Sequence, residues 1–174
     1  MLLGLAANKM GLMSGEAFQD QMVGNHCWGC GSENPEGLHL KSYWYDDVAV
    51  AEWSSSSEFM TGPRHVLNGG IIATLLDCHG VCTAVASAYR RENRAIGTEP
   101  AILYVTASMT VDYLRPTPID AVVRLGARLA TNEDRMITVE CVLEAAGKER
   151  ARASVRAVRV SRDWRHAATG STER

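Results

Sequence analysis

An excess of charge of either sign is missing: 18 Lys and Arg stand against 20 Asp and Glu, for a formal net charge of −2. The chain therefore has no bulk cationic field with which to gather nucleic acid or an anionic membrane surface. No apolar stretch reaches the roughly 20 residues a membrane span requires before Gly, Asp, His or Arg interrupts it, and no membrane helix is expected. The opening MLLGLAANKMGLMSG lacks a basic residue ahead of its apolar run and is broken by Lys9, which favours a frayed or docked amphipathic helix over a secretory leader. The five cysteines, Cys27, Cys30, Cys78, Cys82 and Cys141, are odd in number and lie mostly inside apolar segments. They do not form the pattern of a secreted disulfide framework, and a reducing cytoplasm is the expected location. Internal repeats and low-complexity tracts are absent as well.

What is there suits one globular domain. With 174 residues and 46% hydrophobic side chains, the chain can bury one good core but is too short to divide comfortably into two. Residues 1–25 read as a weakly helical extension, 26–162 as the domain, and 163–174 as a small, polar, disordered tail. The stretch NHCWGCGSENPEGL is dense in turn formers and leads into LHLKSYWY and VAVAEW, two runs rich in branched and aromatic residues around the break at Asp46 and Asp47. Further strands are expected at 102–114, 121–131, 135–146 and 149–160, the last two joined by a turn at Ala146, Gly147 and Lys148. The outward positions of that last pair, Glu140, Glu144, Arg150, Arg152 and Arg156, offer cross-strand ion pairs on a solvated face.

Between these strands, Asn68 to about Tyr89 runs for some six turns without proline and reads as the helix in the middle of the chain. Its apolar residues wrap most of the circumference, so a sheet must enclose it. The fold class is α+β, with an antiparallel sheet of five or six strands around one long central helix.

One face of this helix reads Gly70, Ala73, Thr74, Asp77, Gly80, Val81 and Ala84, small or nearly neutral except for the carboxylate. A lone acid on a largely buried helix is costly unless it is paired, hydrated or functional. Asp77 is thus either a structural partner of a core Arg or loop, or the group that carries chemistry. At the start of the helix Asn68 is a good N-cap, and Gly69 and Gly70 leave backbone N–H groups unshielded at the positive end of the dipole, where an oxyanion can be held. Gly69 and Asp77 are about 12 Å apart at 1.5 Å per residue, too far for one substrate carbonyl to meet both. Two antiparallel helices about a twofold axis would bring Gly69 of one chain to Asp77 of the other, which points to a homodimer with two shared sites.

The segment HVLNGGIIATLLDCHGVCTA resembles the helix motif of hotdog-fold acyl-CoA thioesterases of the PaaI-like and four-hydroxybenzoyl-CoA thioesterase superfamily. There a His-Gly-Gly opens the helix and an acid follows nine positions after the His; the acid here is Asp77. CWGCGSENPEGLHL resembles the leading strand signal of one branch, and VTASMTVDYLRPTP the strand that ends in a Tyr-x-x-Pro turn. The three segments lie in the family's order. The resemblance implies a hotdog fold, an acyl-CoA substrate whose coenzyme A is the only cofactor-like group, and assembly as a homodimer or a dimer of dimers. It further implies that the Gly69 amide binds the thioester oxygen, that Asp77 of the partner acts as nucleophile or general base, and that Thr106, seven positions before the strand's Tyr, orients water. The family His is Asn68 here, which caps a helix equally well but cannot titrate.

Gly70, His65, Phe59, Met60, Tyr104 and Arg115 are the candidate substrate-binding residues, with Leu103 beside Tyr104 in the acyl wall and Arg115, Arg90, Arg91 and Arg94 as candidates for the CoA phosphates. His79, two residues from Asp77, points away from it and reads as a buried, satisfied imidazole. Cys27 and Cys30 form a CxxC near His26 and His39, but a second Cys pair at suitable spacing is lacking, and no metal is expected. Two rivals to hydrolysis are an acyl-CoA binding or regulatory module, motivated by Asn68, and a hotdog dehydratase or hydratase, whose Asp and His pattern Asp77 and His79 do not reproduce.

Overall fold

A computed structural model describes residues 15–161 and Trp164. Helix α1 spans Gly69–Arg91, and six strands follow the chain as β1 Lys41–Tyr45, β2 Val48–Trp53, β3 Leu103–Tyr113, β4 Val123–Asn132, β5 Met136–Ala145 and β6 Lys148–Val160. They form one sheet in the order β1-β2-β4-β5-β6-β3, antiparallel throughout. This sheet curls around α1 in the hotdog arrangement.

The strands alternate because one face must bury against the helix. Leu125, Ile137, Val139, Leu143 and Val155 are fully buried on that face and meet Leu75 and Leu76 of α1. The helix is long and apolar enough to cross a membrane by composition, yet most of it is buried inside this sheet. The β5–β6 connection is a two-residue turn at Ala146 and Gly147, both at positive φ (50° and 68°) as the right-handed twist of a tight hairpin requires.

His79 is fully buried on the far side of the helix from Asp77, as its spacing predicts. Its Nε2–H donates to the Ala49 carbonyl (3.2 Å), and its Nδ1 accepts from the Ser42 hydroxyl (2.9 Å). Gln19 completes the chain of contacts, donating Nε2–H to Ser42 Oγ at 2.9 Å and accepting the Ser42 N–H at 2.8 Å. Burial pushes the imidazole pKa down to about 4, so it is neutral at neutral pH.

The structure departs from the sequence reading in three places. Within 15–25 the regular structure is a single 3-10 turn, Phe18–Gln21, whose Phe18 and Gln19 are buried against Trp44 and Ser42 of β1; residues 1–14 and all of the tail except Trp164 lie outside the described residues. The first strand begins at Lys41, because His39 takes a positive φ of 51° and breaks the extended run. Finally, the five outward charges of β5 and β6 form no ion pairs with one another among the described residues. Register sets Glu140 against Ser154, which donates to it at 2.8 Å, and Val142 against Arg152, while Arg150 donates to the Ala145 and Pro116 carbonyls.

Candidate active site

Strand β3 supplies the first contact. Continuing from Ile102 just before the strand, its inward residues are Tyr104 and Thr106; a bulge at Ala107 then shifts the parity, so that Met109 and Val111 face the core. Bulges of this kind re-aim side chains beside functional sites. Thr106, the last inward residue before the bulge, donates its hydroxyl to Asp77 Oδ1 at 2.5 Å. Asp77 is half-buried midway along α1 and has no Arg or Lys partner among the described residues, so it is not the structural ion pair that its burial allowed. Its carboxylate opens on a cavity of about 700 Å³ whose apolar wall includes Val81, Val85, Ile102, Leu103 and Tyr104. A second cavity, of about 460 Å³ near Phe18 and Trp44, is lined by Arg90 and Arg94 but by none of the candidate catalytic residues.

The start of the helix is a separate piece of machinery. Asn68 takes extended backbone angles (φ −63°, ψ 135°), and its Oδ1 accepts the Gly70 N–H at 2.7 Å, the cap that its residue type predicts. That bond corrects the expectation for Gly70: its N–H is taken by the cap and is not offered to a ligand. The Gly69 N–H is left without a partner among the described residues, as the first donor of a helix must be unless something outside it accepts. Tyr113, not among the sequence candidates, donates its hydroxyl to the Gly69 carbonyl at 2.8 Å. Its ring lies where a Cβ on Gly69 would be in van der Waals contact at 3.4 Å, so the ring covers this side of the helix start. The signal for Tyr113 was present in the Tyr-x-x-Pro turn and in its odd parity with Met109 and Val111.

Of the predicted wall residues, Leu103 and Tyr104 line the Asp77 cavity, whereas Phe59, Met60 and His65 do not. These three sit at the helix start. Phe59 packs on Trp53 (ring centroids 5.6 Å apart) and its carbonyl accepts the Asn68 N–H; Met60 bridges to Leu67; His65 is exposed at a positive φ of 69°. The two groups belong to opposite ends of one helix. Arg115 is exposed and donates to the Glu149 carbonyl at 3.1 Å. Arg91, Arg94 and Arg90 pair with Asp134 (3.0 Å), Glu92 (2.6 Å) and Asp47 (3.6 Å) respectively.

The small-residue face is also divided. Gly70, Ala73, Thr74, Asp77 and Val81 remain partly exposed along one stripe, but Gly80 and Ala84 are buried. A Cβ on Gly80 would lie 2.8 Å from Val155 Cγ2, so this glycine serves the close approach of β6 rather than of a partner helix. A second close approach comes from the turn-rich N-terminal loop, where a Cβ on Gly29 would collide with the Cys78 sulfur and the Thr74 methyl.

That loop brings the CxxC to the helix. Cys27 Sγ lies 3.7 Å from Cys78 Sγ, and Cys30 Sγ 3.8 Å from Cys82 Sγ. The second Cys pair, missed by spacing in the sequence, is the i, i+4 pair on α1. All four residues border the Asp77 cavity.

Against known proteins, residues 65–158 match the model of the thioesterase superfamily. A thioesterase superfamily protein from Shewanella loihica is 32% identical, with 80% of this chain and 97% of that one covered and a TM-score of 0.60. The PaaI protein of E. coli, from the phenylacetic acid degradation operon, is 14% identical over 71% of this chain and 81% of that one, with a TM-score of 0.59. A Streptococcus mutans protein solved bound to acetyl CoA is 12% identical over 79% and 98%, also at 0.59. These last two likenesses speak to the fold. The chain belongs to the thioesterase superfamily, and its architecture is that of the PaaI-like hotdog proteins.

Proposed function

We propose that this protein hydrolyses an acyl-CoA thioester to the free acid and CoA, at two sites shared across a homodimer. The observation that carries the reading is the Thr106–Asp77 hydrogen bond at the mouth of an apolar cavity. The hydroxyl holds one carboxylate oxygen in place and leaves the other for water. Water, deprotonated by Asp77, adds to the thioester carbon; the resulting oxyanion lies on the Gly69 N–H of the partner subunit. Collapse breaks the C–S bond, and the CoA sulfur leaves with the proton Asp77 had taken.

The partner is required by distance: Gly69 and Asp77 of one chain are about 12 Å apart along a continuous helix. The half-exposed stripe Gly70, Ala73, Thr74 and Asp77 is where the second helix would pack. Asn68 is compatible with turnover, because its cap keeps the helix start ordered without the family imidazole.

Thiol release from a panel of aryl and aliphatic acyl-CoAs, comparing the native chain with Asp77→Asn at equal folding and oligomeric state, tests this directly. A fall of at least about 100-fold is the expected result. Absence of turnover by the native protein on every substrate would make it an acyl-CoA binding module instead.

A further inference from the structure

We propose that Cys27, Cys30, Cys78 and Cys82 form a closed tetrathiolate site for Zn²⁺ that fastens the N-terminal loop to helix α1. The inference does not depend on the thioesterase reading.

The four sulfurs come from two segments some fifty residues apart, each contributing a pair with ligand spacing. Cys27 and Cys30 are a C-x₂-C in a turn; Cys78 and Cys82, one helical turn apart, project from the same side of α1. In a tetrahedron with Zn–S bonds of about 2.3 Å, neighbouring sulfurs stand about 3.8 Å apart. The Cys27–Cys78 and Cys30–Cys82 separations are 3.7 and 3.8 Å. The sulfurs of Cys27, Cys30 and Cys78 lie within 4.8 Å of one another and Cys82 adjoins this group through Cys30, so the pairs make one cluster, which closes to a tetrahedron when the Cys82 sulfur moves in. A disulfide would need about 2.05 Å between two of them, and all four are free thiols.

The surroundings are built for this geometry. The Gly31 N–H donates to the Cys27 carbonyl at 2.7 Å, and the Leu38 N–H to the Trp28 carbonyl at 2.8 Å, folding the loop into a knuckle with both its sulfurs turned to the helix. A side chain at Gly29 would strike Cys78, and one at Gly31 the Asn25 and Cys27 backbone. The Asn25 amide points an N–H at Cys30 Sγ, 4.0 Å away. Cys30, Cys78 and Cys82 are buried while Cys27 is exposed, which gives the ion a route in.

With four protein ligands no coordination position is open, so the role is structural. Soft thiolates in this arrangement select zinc over hard, oxygen-seeking ions. Binding exchanges four S–H bonds for four Zn–S bonds and releases four protons without electron transfer. Because Cys78 follows Asp77 directly, the ion would hold one wall of the cavity in register with the carboxylate.

The test is elemental analysis of the full, untagged chain produced with zinc in the medium, followed by exchange to Co²⁺. About one zinc per chain is expected, and the cobalt form should show tetrahedral d–d bands with intense sulfur-to-cobalt charge transfer. Cys27→Ser, at the exposed ligand, should weaken zinc retention against a chelator by more than the roughly 10- to 100-fold that loss of a merely supporting residue costs. Cys141→Ser, outside the cluster, should leave the spectrum unchanged. If Cys27→Ser does not fold, stoichiometry and the cobalt spectrum of the native chain decide alone. Five titratable thiols with neither zinc nor cobalt bands would overturn the proposal, leaving packed thiols, and a mass lowered by paired hydrogens would overturn it in favour of disulfides.

Discussion

The Tyr113 hydroxyl and the Gly69 carbonyl are 2.8 Å apart, and this contact ties the edge strand β3 to the first residue of helix α1. The carbonyl shares its residue with the free N–H that the proposed chemistry uses, so the ring positions a donor it does not itself supply. Tyr113→Phe should leave the fold intact and lower kcat roughly fivefold, the equivalent of one hydrogen bond of about 1 kcal/mol, with KM less affected. Steady-state kinetics of thiol release separate the two constants. An unchanged kcat would show that the helix start is rigid without the tyrosine.

Thr106 acts on Asp77 from the other side of the site. Thr106→Val keeps the shape and branching of the strand residue but removes the donor to the carboxylate, and a loss of about 1.5–3 kcal/mol, roughly 10- to 100-fold in kcat, is expected. Thr106→Ser, which restores the hydroxyl, should recover most of the rate. A loss in Thr106→Ser with Thr106→Val unaffected would mean that the methyl group, not the hydroxyl, matters.

His79 makes a stability prediction instead of a kinetic one. His79→Leu leaves the buried Ser42 hydroxyl and Ala49 carbonyl without their partner. A destabilisation of about 1–3 kcal/mol should appear as a lowered urea midpoint at unchanged slope. Activity at temperatures well below the transition should persist, because the imidazole lies across the helix from Asp77.

Much of this arrangement was legible in the residues themselves. Helix α1, its Asn68 cap, the Ala146–Gly147 hairpin and the burial of His79 follow from periodicity and turn chemistry, which are local. Thr106 was reached through resemblance, as a group that orients water, and its bond to Asp77 emerges only in the fold; the parity change from Tyr104 and Thr106 to Met109 and Val111 was the physical trace of the bulge beside it. Gly80 shares the small-residue face with Asp77, and spacing along a helix cannot tell a close strand from a close helix; Val155 decides it. The cysteine cluster was hidden for a different reason. Its two pairs meet only when the loop folds under the helix, and no linear spacing between Cys30 and Cys78 encodes that contact.

The shared site is the centre of the account, and mixed dimers test it most directly. Gly69→Pro deletes the donor N–H at a first-turn position that tolerates proline, and Asn68 already has the extended backbone that must precede one. Each of Gly69→Pro and Asp77→Asn alone should be inactive. In a heterodimer of the two, one site retains both an intact Gly69 amide and an intact Asp77 carboxylate, so a randomly reassorted equal mixture should regain about a quarter of native thiol release. No recovery in a mixture whose heterodimers are demonstrated by native mass spectrometry would contradict a site built from two chains.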